Sequence, residues 1–468
     1  MPPRMQKTMS IRTLSDLSAR ECLLGVAMAL LILSGPVLVL VYGLVGIAGN
    51  SLFTGSYIAS CLIGALLLTL KVARAPFLNV ADGLFATFAI VVVCSLAVNG
   101  SKAATKEVVF LAASLSAYAC TRMMTATDLG ALRTGCLWTA GVIALLGTLF
   151  TAPALIEQWE HSHRPRPFVF GFDHAATVFA QALAVWLVAA TCSREVTERV
   201  RQITFATIIP AMVFAASMVR LTLAATAAVL LVVLCLTRSR KAKVAVVIIS
   251  GTFVLAVGCG AVLRTEKFRS FILEQNTGGV LLSELPSKAI SPDGSPPEAI
   301  SSALPSCQAP VNLNNSLAVR IAVWQDALYL LRQADLFGRG LDFVASTSCM
   351  KISPHNAALQ ALAEFGWLGG GAFLLLMAYP FVRLSGAARD NDGLRFLLCC
   401  FAFVVVINMF HGRLSRQVEM FALAGALVGV ASGRGTRLVD GKPSVEGLQG
   451  RASNVVMRAQ AEVGATAR

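Results

Sequence analysis

A histidine preceded by serine and proline opens one of the long apolar stretches of the chain, in the segment Ser353-Pro354-His355-Asn356. Ser353 is a favourable helix N-cap and Pro354 a favourable first helical residue, so the pattern predicts that His355 lies in the first turn of a helix. The positive end of the helix dipole disfavours an imidazolium ion there. The same helix end attracts phosphate, because its first N–H groups have no partner within the helix. The segment therefore predicts a neutral base beside an anion site.

Arginines lie near the corresponding ends of other predicted elements. Arg220 lies in a tight turn between two apolar runs, and Arg320 lies on an amphipathic segment. Arg166 precedes another apolar run, close to Asp173 and His174. Guanidinium groups bind phosphate oxygens through paired hydrogen bonds and keep their charge. If these residues share one surface with His355, the sequence predicts a diphosphate site.

Three polar residues follow His355 into the apolar stretch. Asn356, Gln360 and Glu364 recur every four residues, which places them on one face of the predicted helix. Asn356, next to His355, is predicted to contact the substrate. Glu364 is about half a helical rotation from His355, so it is assigned a structural or positioning role. Contacts between helices explain such a stripe equally well.

The composition identifies the class of protein. The chain has 468 residues, of which 56% are hydrophobic and 14% charged, and its mean hydropathy is +0.71. Soluble domains carry more charge, so the chain is predicted to be a polytopic membrane protein. The net charge of +14 is spread over the segments between apolar runs, which is a topology signal and argues against nucleic acid as a partner.

The apolar runs predict an all-α protein with about 12 transmembrane helices. They lie at about 22–47, 53–70, 82–99, 107–121, 134–153, 174–192, 203–219, 221–237, 243–263, 356–382, 396–411 and 417–432.

The basic residues predict the orientation. Lys and Arg are concentrated in the segments that lie on the side of the N-terminus, which places that side in the cytoplasm. The predicted organisation is a cytoplasmic N-terminus (1–21), helices one to nine (22–263), a periplasmic loop (264–354), helices ten to twelve (355–432) and a disordered cytoplasmic tail (433–468). Apolar residues at helical spacing over 320–334 predict an amphipathic helix within the loop.

The positions of the cysteines do not indicate a metal site. Ten of the 12 lie in or beside predicted spans, and no Cys/His metal spacing occurs, so no metal or cofactor is predicted. Cys307 and Cys349 both lie in the long loop. They can pair if the loop faces an oxidising compartment, and the sequence leaves this open.

The motifs around His355 resemble those of a known family. Pro354-His355-Asn356, with Leu359 and Gln360, followed by Glu364-Phe365-Gly366-Trp367-Leu368-Gly369, resembles the signature of the O-antigen ligase and Wzy-type polymerase superfamily. The preceding segment is similar as well, with Arg320-Ile321-Ala322-Val323-Trp324 and then Leu336-Phe337-Gly338-Arg339-Gly340. Gly171-Phe172-Asp173-His174 and Arg220 match in kind, and the resemblance covers about residues 165–410.

The resemblance implies a GT-C-like glycosyltransferase of the bacterial inner membrane, active at the periplasmic face without a metal. Its donor would be an undecaprenyl-diphosphate-linked glycan. By motif position, His355 would deprotonate the acceptor hydroxyl, and Arg220 and Arg320 would hold the donor diphosphate. Arg166, His174 and Asn356 would add substrate contacts. In a ligase of lipopolysaccharide biosynthesis the acceptor would be the lipid A core. In an O-antigen or exopolysaccharide polymerase it would be a growing glycan. The presence of one large predicted periplasmic loop favours the ligase.

Two other classes remain as alternatives. A transporter or flippase for lipid-linked sugars would need charges deep within several spans, and the first five predicted spans have essentially none away from their ends. A non-enzymatic scaffold would tolerate replacement of His355 and both arginines. The remaining histidines, including His411, are predicted to be exposed loop residues, and Trp324 and Trp367 to be interfacial anchors or packing residues.

Overall fold

The computed structural model describes residues 18–46, 78–99, 105–159, 167–265, 304–308, 311 and 316–439, with a few single residues between 55 and 66. Arg166, most of the predicted second span and the chain beyond residue 439 lie outside the described residues.

The described residues form helices joined by turns, with one isolated bridge between Val169 and Phe172. The α-helices, in chain order, are α1 (Ala19–Ile32), α2 (Ser34–Val45), α3 (Val80–Asn99), α4 (Thr105–Thr121), α5 (Leu129–Glu157), α6 (Ala175–Thr191), α7 (Val200–Ala216), α8 (Arg220–Leu236), α9 (Arg240–Leu263), α10 (Pro305–Gln308), α11 (Ser316–Arg332), α12 (Phe343–Thr347), α13 (Ala357–Ala388), α14 (Asp392–His411) and α15 (Val418–Val439). The all-α prediction is confirmed, and α11 covers most of the predicted amphipathic segment.

Several helices have the length and the apolar surface of membrane-spanning helices. Among the described residues, five helices are long and apolar enough to cross a membrane, and four further apolar helices are shorter. Large apolar side chains such as Val93 and Leu255 are exposed on them, so their surfaces need lipid rather than water. The chain is therefore a helical membrane protein. The structure does not establish about 12 crossings, and the periplasmic loop stays a prediction.

The predicted first span is not one continuous helix. α1 and α2 are bent by 85° at Leu33, and together they count as at most one further crossing. Pro36 has no N–H to donate to the carbonyl of Ile32, and its ring would clash with that carbonyl in a straight helix. The apolar run therefore continues through a break that its hydropathy does not indicate.

Polar contacts sort the helix ends into two faces. Arg194 pairs with Asp392, and Arg238 pairs with Asp390, which brings the end of α8 to the beginning of α14. At the other end of α14, His411 contacts Arg320. We call the end that holds His411 and His355 the His355 face. Because α8 ends near Asp390, its first residue, Arg220, lies toward the His355 face.

Aromatic packing holds α13 in the core beneath this face. The ring of Phe88 on α3 lies 5.8 Å from Phe365 and 5.5 Å from Phe373 of α13, measured between centroids. Phe421 of α15 lies 6.1 Å from Phe88. All four rings are fully buried, so α13 is fixed between α3 and α15.

Candidate active site

His355 precedes α13 rather than lying in its first turn. Asn356 is the N-cap, and its Oδ1 accepts a hydrogen bond from the Leu359 N–H at 2.9 Å. His355 has a left-handed backbone with φ of 48°. The predicted N-cap Ser353 is therefore wrong, because Asn356 is an equally favoured cap residue and takes the position three residues later. The first-turn position from which a neutral His355 was predicted is therefore not the one it occupies. Its capping contact gives Asn356 a structural role.

Burial and neighbouring cations favour the neutral form of His355 instead. Burial lowers the pKa of the imidazole, and the charges of Arg320 and Arg413 lower the pKa further. Its Nδ1 is buried and has no hydrogen-bond partner within the described part of the chain. A neutral imidazole carries a lone pair on one of its ring nitrogens and can accept a proton from a hydroxyl group.

Arg320 reaches this site through a second histidine. The Nη2 of Arg320 lies 2.9 Å from Nδ1 of His411, the last residue of α14. The rings of His411 and His355 are stacked, with centroids 5.9 Å apart and planes 23° from parallel. His411 is exposed, as predicted, but it belongs to the site rather than to an unrelated loop. A signal for it was available, because Arg413 and Arg416 follow it in the same short connection.

Trp324 fixes the His355 segment to α11. Its Nε1 donates a hydrogen bond to the carbonyl oxygen of Pro354 at 2.6 Å. Trp324 lies one helical turn after Arg320, so a single helix positions both the cation and the backbone just before His355. The predicted packing role of Trp324 therefore includes a specific contact.

α11 is in turn held by a buried carboxylate and a disulfide. Asp326 is fully buried and accepts hydrogen bonds from Ser306 and from the Ser348 hydroxyl. Cys307 and Cys349, one residue beyond each serine, form a disulfide with Cα atoms 5.5 Å apart. The pairing that the sequence left open is therefore present, and it joins the two segments whose serines contact Asp326 of α11.

The two glycine-containing motifs pack against each other at a break in α13. Gly366 has φ of 69° and ψ of −172°, which is not helical. The Leu368 N–H donates to the Leu336 carbonyl at 3.1 Å, and the Gly340 N–H donates to the Glu364 carbonyl at 2.9 Å. The loop before α12 thus provides partners for backbone groups that the break leaves without helical ones.

Buried charges join the same loop to the turn after α14. Glu107 is almost fully buried and pairs with Arg416 and Arg413, and Arg413 also pairs with Asp342. Removing one partner of such a buried pair leaves an uncompensated charge, so these residues fix the position of the turn. This keeps the guanidinium of Arg413 near His355.

The polar stripe of α13 serves contacts between helices. Oε1 of Gln360 accepts the Leu414 N–H at 2.8 Å, and its Nε2 donates to Glu364 at 3.0 Å. The structural role predicted for Glu364 fits this arrangement.

The other predicted site residues lie on separate turns. Arg220 is exposed at the start of α8. His174 precedes α6, and its Nδ1 lies 3.1 Å from the exposed Asp173 carboxylate. The structure thus brings together His355 and Arg320 and adds His411 and Arg413, while substrate contacts by Arg220, His174 and Asn356 stay predictions.

Fold and site together define a helical membrane protein with a half-buried imidazole, favoured in its neutral form, and arginine side chains at one end of its helices. Residues 205–374 match the family model described as O-antigen ligase. The chain therefore carries an O-antigen ligase domain over these residues, which include Arg220, Arg320 and His355, and the resemblance seen in the motifs is confirmed. No curated protein matches the chain. The match indicates a glycosyltransferase-like enzyme of ligase or polymerase type, with lipid-linked glycan substrates.

Proposed function

We propose that the protein is an O-antigen ligase-like glycosyltransferase that transfers an undecaprenyl-diphosphate-linked glycan to a hydroxyl group of the lipid A core. The observation that carries this proposal is the His355 imidazole, favoured in its neutral form, beside Arg320 within the O-antigen ligase domain. The reaction needs a base for the acceptor and positive charge for the leaving group, and this site supplies both without a metal.

In the proposed reaction, the acceptor hydroxyl gives its proton to His355 as its oxygen bonds to the anomeric carbon of the donor. The bond between that carbon and the diphosphate oxygen breaks, and the lipid diphosphate leaves with the electron pair. Arg320 and Arg220 stabilise the negative charge that develops on it. Fixed guanidinium groups are effective here because they need no reorganisation during the reaction.

Two observations support a periplasmic active site in the inner membrane. The Cys307–Cys349 disulfide lies beside α11, which carries Arg320, and disulfides persist in oxidising compartments such as the periplasm. Basic residues including Arg194, Arg238 and Arg395 lie on the face opposite His355, as expected for a cytoplasmic side.

A Wzy-type polymerase of O-antigen or exopolysaccharide is the alternative. It would use the same base and cations, and only the acceptor would differ, since the growing glycan would replace the lipid A core. The single long polar insertion in the sequence favours the ligase. A lipid-linked sugar transporter is the other alternative. The buried Glu107 does not favour it, because this carboxylate lies in the first turn of α4 and is paired with Arg413 and Arg416.

The test uses cells that lack the protein and express the wild type, His355→Ala or, as a matched control, His161→Ala, a histidine outside the motif. Glycan chain length and attachment to the lipid A core are measured at equal protein levels. We expect His355→Ala to leave long chains on the carrier, unattached, and His161→Ala to behave as the wild type. Single repeat units would instead identify a polymerase, and full function of His355→Ala would refute the catalytic assignment.

A further inference from the structure

His411 connects the two groups on which the proposed reaction depends. Its Nδ1 lies 2.9 Å from Nη2 of Arg320, and its ring is stacked on that of His355. Guanidinium is a hydrogen-bond donor only, so Nδ1 of His411 must be the acceptor, and in the neutral ring the proton is on Nε2. The contact therefore selects one tautomer of His411.

The position of His411 also favours a cation at this point. His411 ends α14, where the helix carbonyls carry partial negative charge. Arg320 comes from α11, which is far from α14 in the sequence, and its long side chain has many rotamers. The hydrogen bond to Nδ1 of His411 restricts the rotamers of that side chain.

We propose that His411 is a positioning residue for glycan transfer, which holds the Arg320 guanidinium and the His355 ring in one fixed arrangement. The inference deepens the proposed function and rests on it. His411 acts through Arg320. Substitutions at His411 and Arg320 are therefore expected to be coupled in their effects on transfer, rather than to make separate contributions.

The experiment uses the purified full chain in vesicles of phosphatidylethanolamine and phosphatidylglycerol. The donor is the carrier-linked glycan from cells lacking the protein, and the acceptor is their lipid A core. His411→Phe keeps a stacking ring but has no acceptor, whereas His411→Asn keeps an oxygen that can accept from Arg320. Each is measured alone and with Arg320→Gln, alongside the unfolding temperature in detergent.

We expect His411→Phe to lower kcat/KM roughly tenfold to a hundredfold, the range for loss of a hydrogen bond to a charged group. His411→Asn should retain most activity, and His411→Phe should add no further loss to Arg320→Gln, because the two act as one unit. Unchanged unfolding temperatures would exclude a general loss of structure.

The outcomes separate the inference from the proposed function. If the wild type transfers glycan and His355→Ala does not, but His411→Phe matches the wild type or its loss multiplies with that of Arg320→Gln, the inference alone is wrong. If the wild type transfers no glycan to either the lipid A core or a growing chain, the proposed function is wrong and the inference is overturned with it.

Discussion

Gly366→Ala is expected to destabilise the protein and to disable its site, although it adds only a single methyl group. Gly366 lies in the break of α13, where φ is 69° and ψ is −172°. A Cβ atom built there would lie 2.3 Å from the carbonyl oxygen of Asp335, 2.4 Å from the Gly338 nitrogen and 2.5 Å from the Leu336 oxygen. All three are backbone atoms, so no side chain can rotate away to relieve the overlap.

The size of the effect follows from two contributions. A residue other than glycine in this backbone region costs about 1–3 kcal/mol. Forcing an extra carbon into a close-packed contact costs about another 1–3 kcal/mol. The loop that must move continues to Asp342, which pairs with Arg413. We therefore expect both a lower free energy of unfolding and a displaced cation beside His355.

Gly371→Ala is the matched control, since Gly371 lies on the same helix and a Cβ there would meet nothing within 4 Å. Alanine at such a helical position is neutral or stabilises by about 0.5–1 kcal/mol. The assay is the thermal unfolding midpoint in detergent, followed by glycan transfer at a temperature where both variants are folded. Equal midpoints and equal transfer for the two variants would refute this account of the α13 break.

Three further predictions test the surroundings of His355. Arg413→Gln removes a charge that lowers the pKa of His355, so this pKa should rise. The acidic limb of the pH profile of the transfer rate should then move to higher pH. An unchanged acidic limb would contradict the role of His355 as the base. Cys307→Ser opens a loop of 42 residues and should lower the free energy of unfolding by about 4 kcal/mol, if the disulfide acts by reducing the entropy of the unfolded chain. Treating the wild type with a reductant should have the same effect. Cys94→Ser replaces an exposed free thiol and should leave the free energy of unfolding unchanged. Trp324→Phe removes the donor to Pro354 and should lower transfer about two- to tenfold at an unchanged unfolding midpoint; wild-type activity would show that this hydrogen bond does not position His355.

The positions of the helices could be predicted because a membrane helix needs a continuous apolar stretch. The run predicted at 82–99 forms Val80–Asn99, and the run at 396–411 forms Asp392–His411. The breaks at Leu33 and Gly366 could not be predicted in this way, since average hydropathy is insensitive to one proline or one glycine. The break at Leu33 is caused by Pro36. The break at Gly366 depends on a partner loop more than twenty residues away in the sequence.

The site was predictable only where its residues belong to a contiguous motif. His355 and Arg320 stand in recognisable segments, whereas His411 and Arg413 reach the site through the packing of α14 against the rest of the protein. The predicted helix start failed for a simple reason. Ser353 and Asn356 are both good caps, and sequence alone does not decide between two cap residues separated by three positions.

The corrected position of His355 changes the origin of its neutral state. A first-turn histidine would owe its lowered pKa to the helix dipole, which is the same with and without substrate. His355 owes its lowered pKa to burial and to Arg320 and Arg413, whose charges are available to an anion. In the proposed reaction, a bound diphosphate would offset those charges and raise the pKa of His355. The residue would then be a stronger base when the donor is present than when the site is empty, so proton removal from the acceptor would be favoured only in the complex that can react.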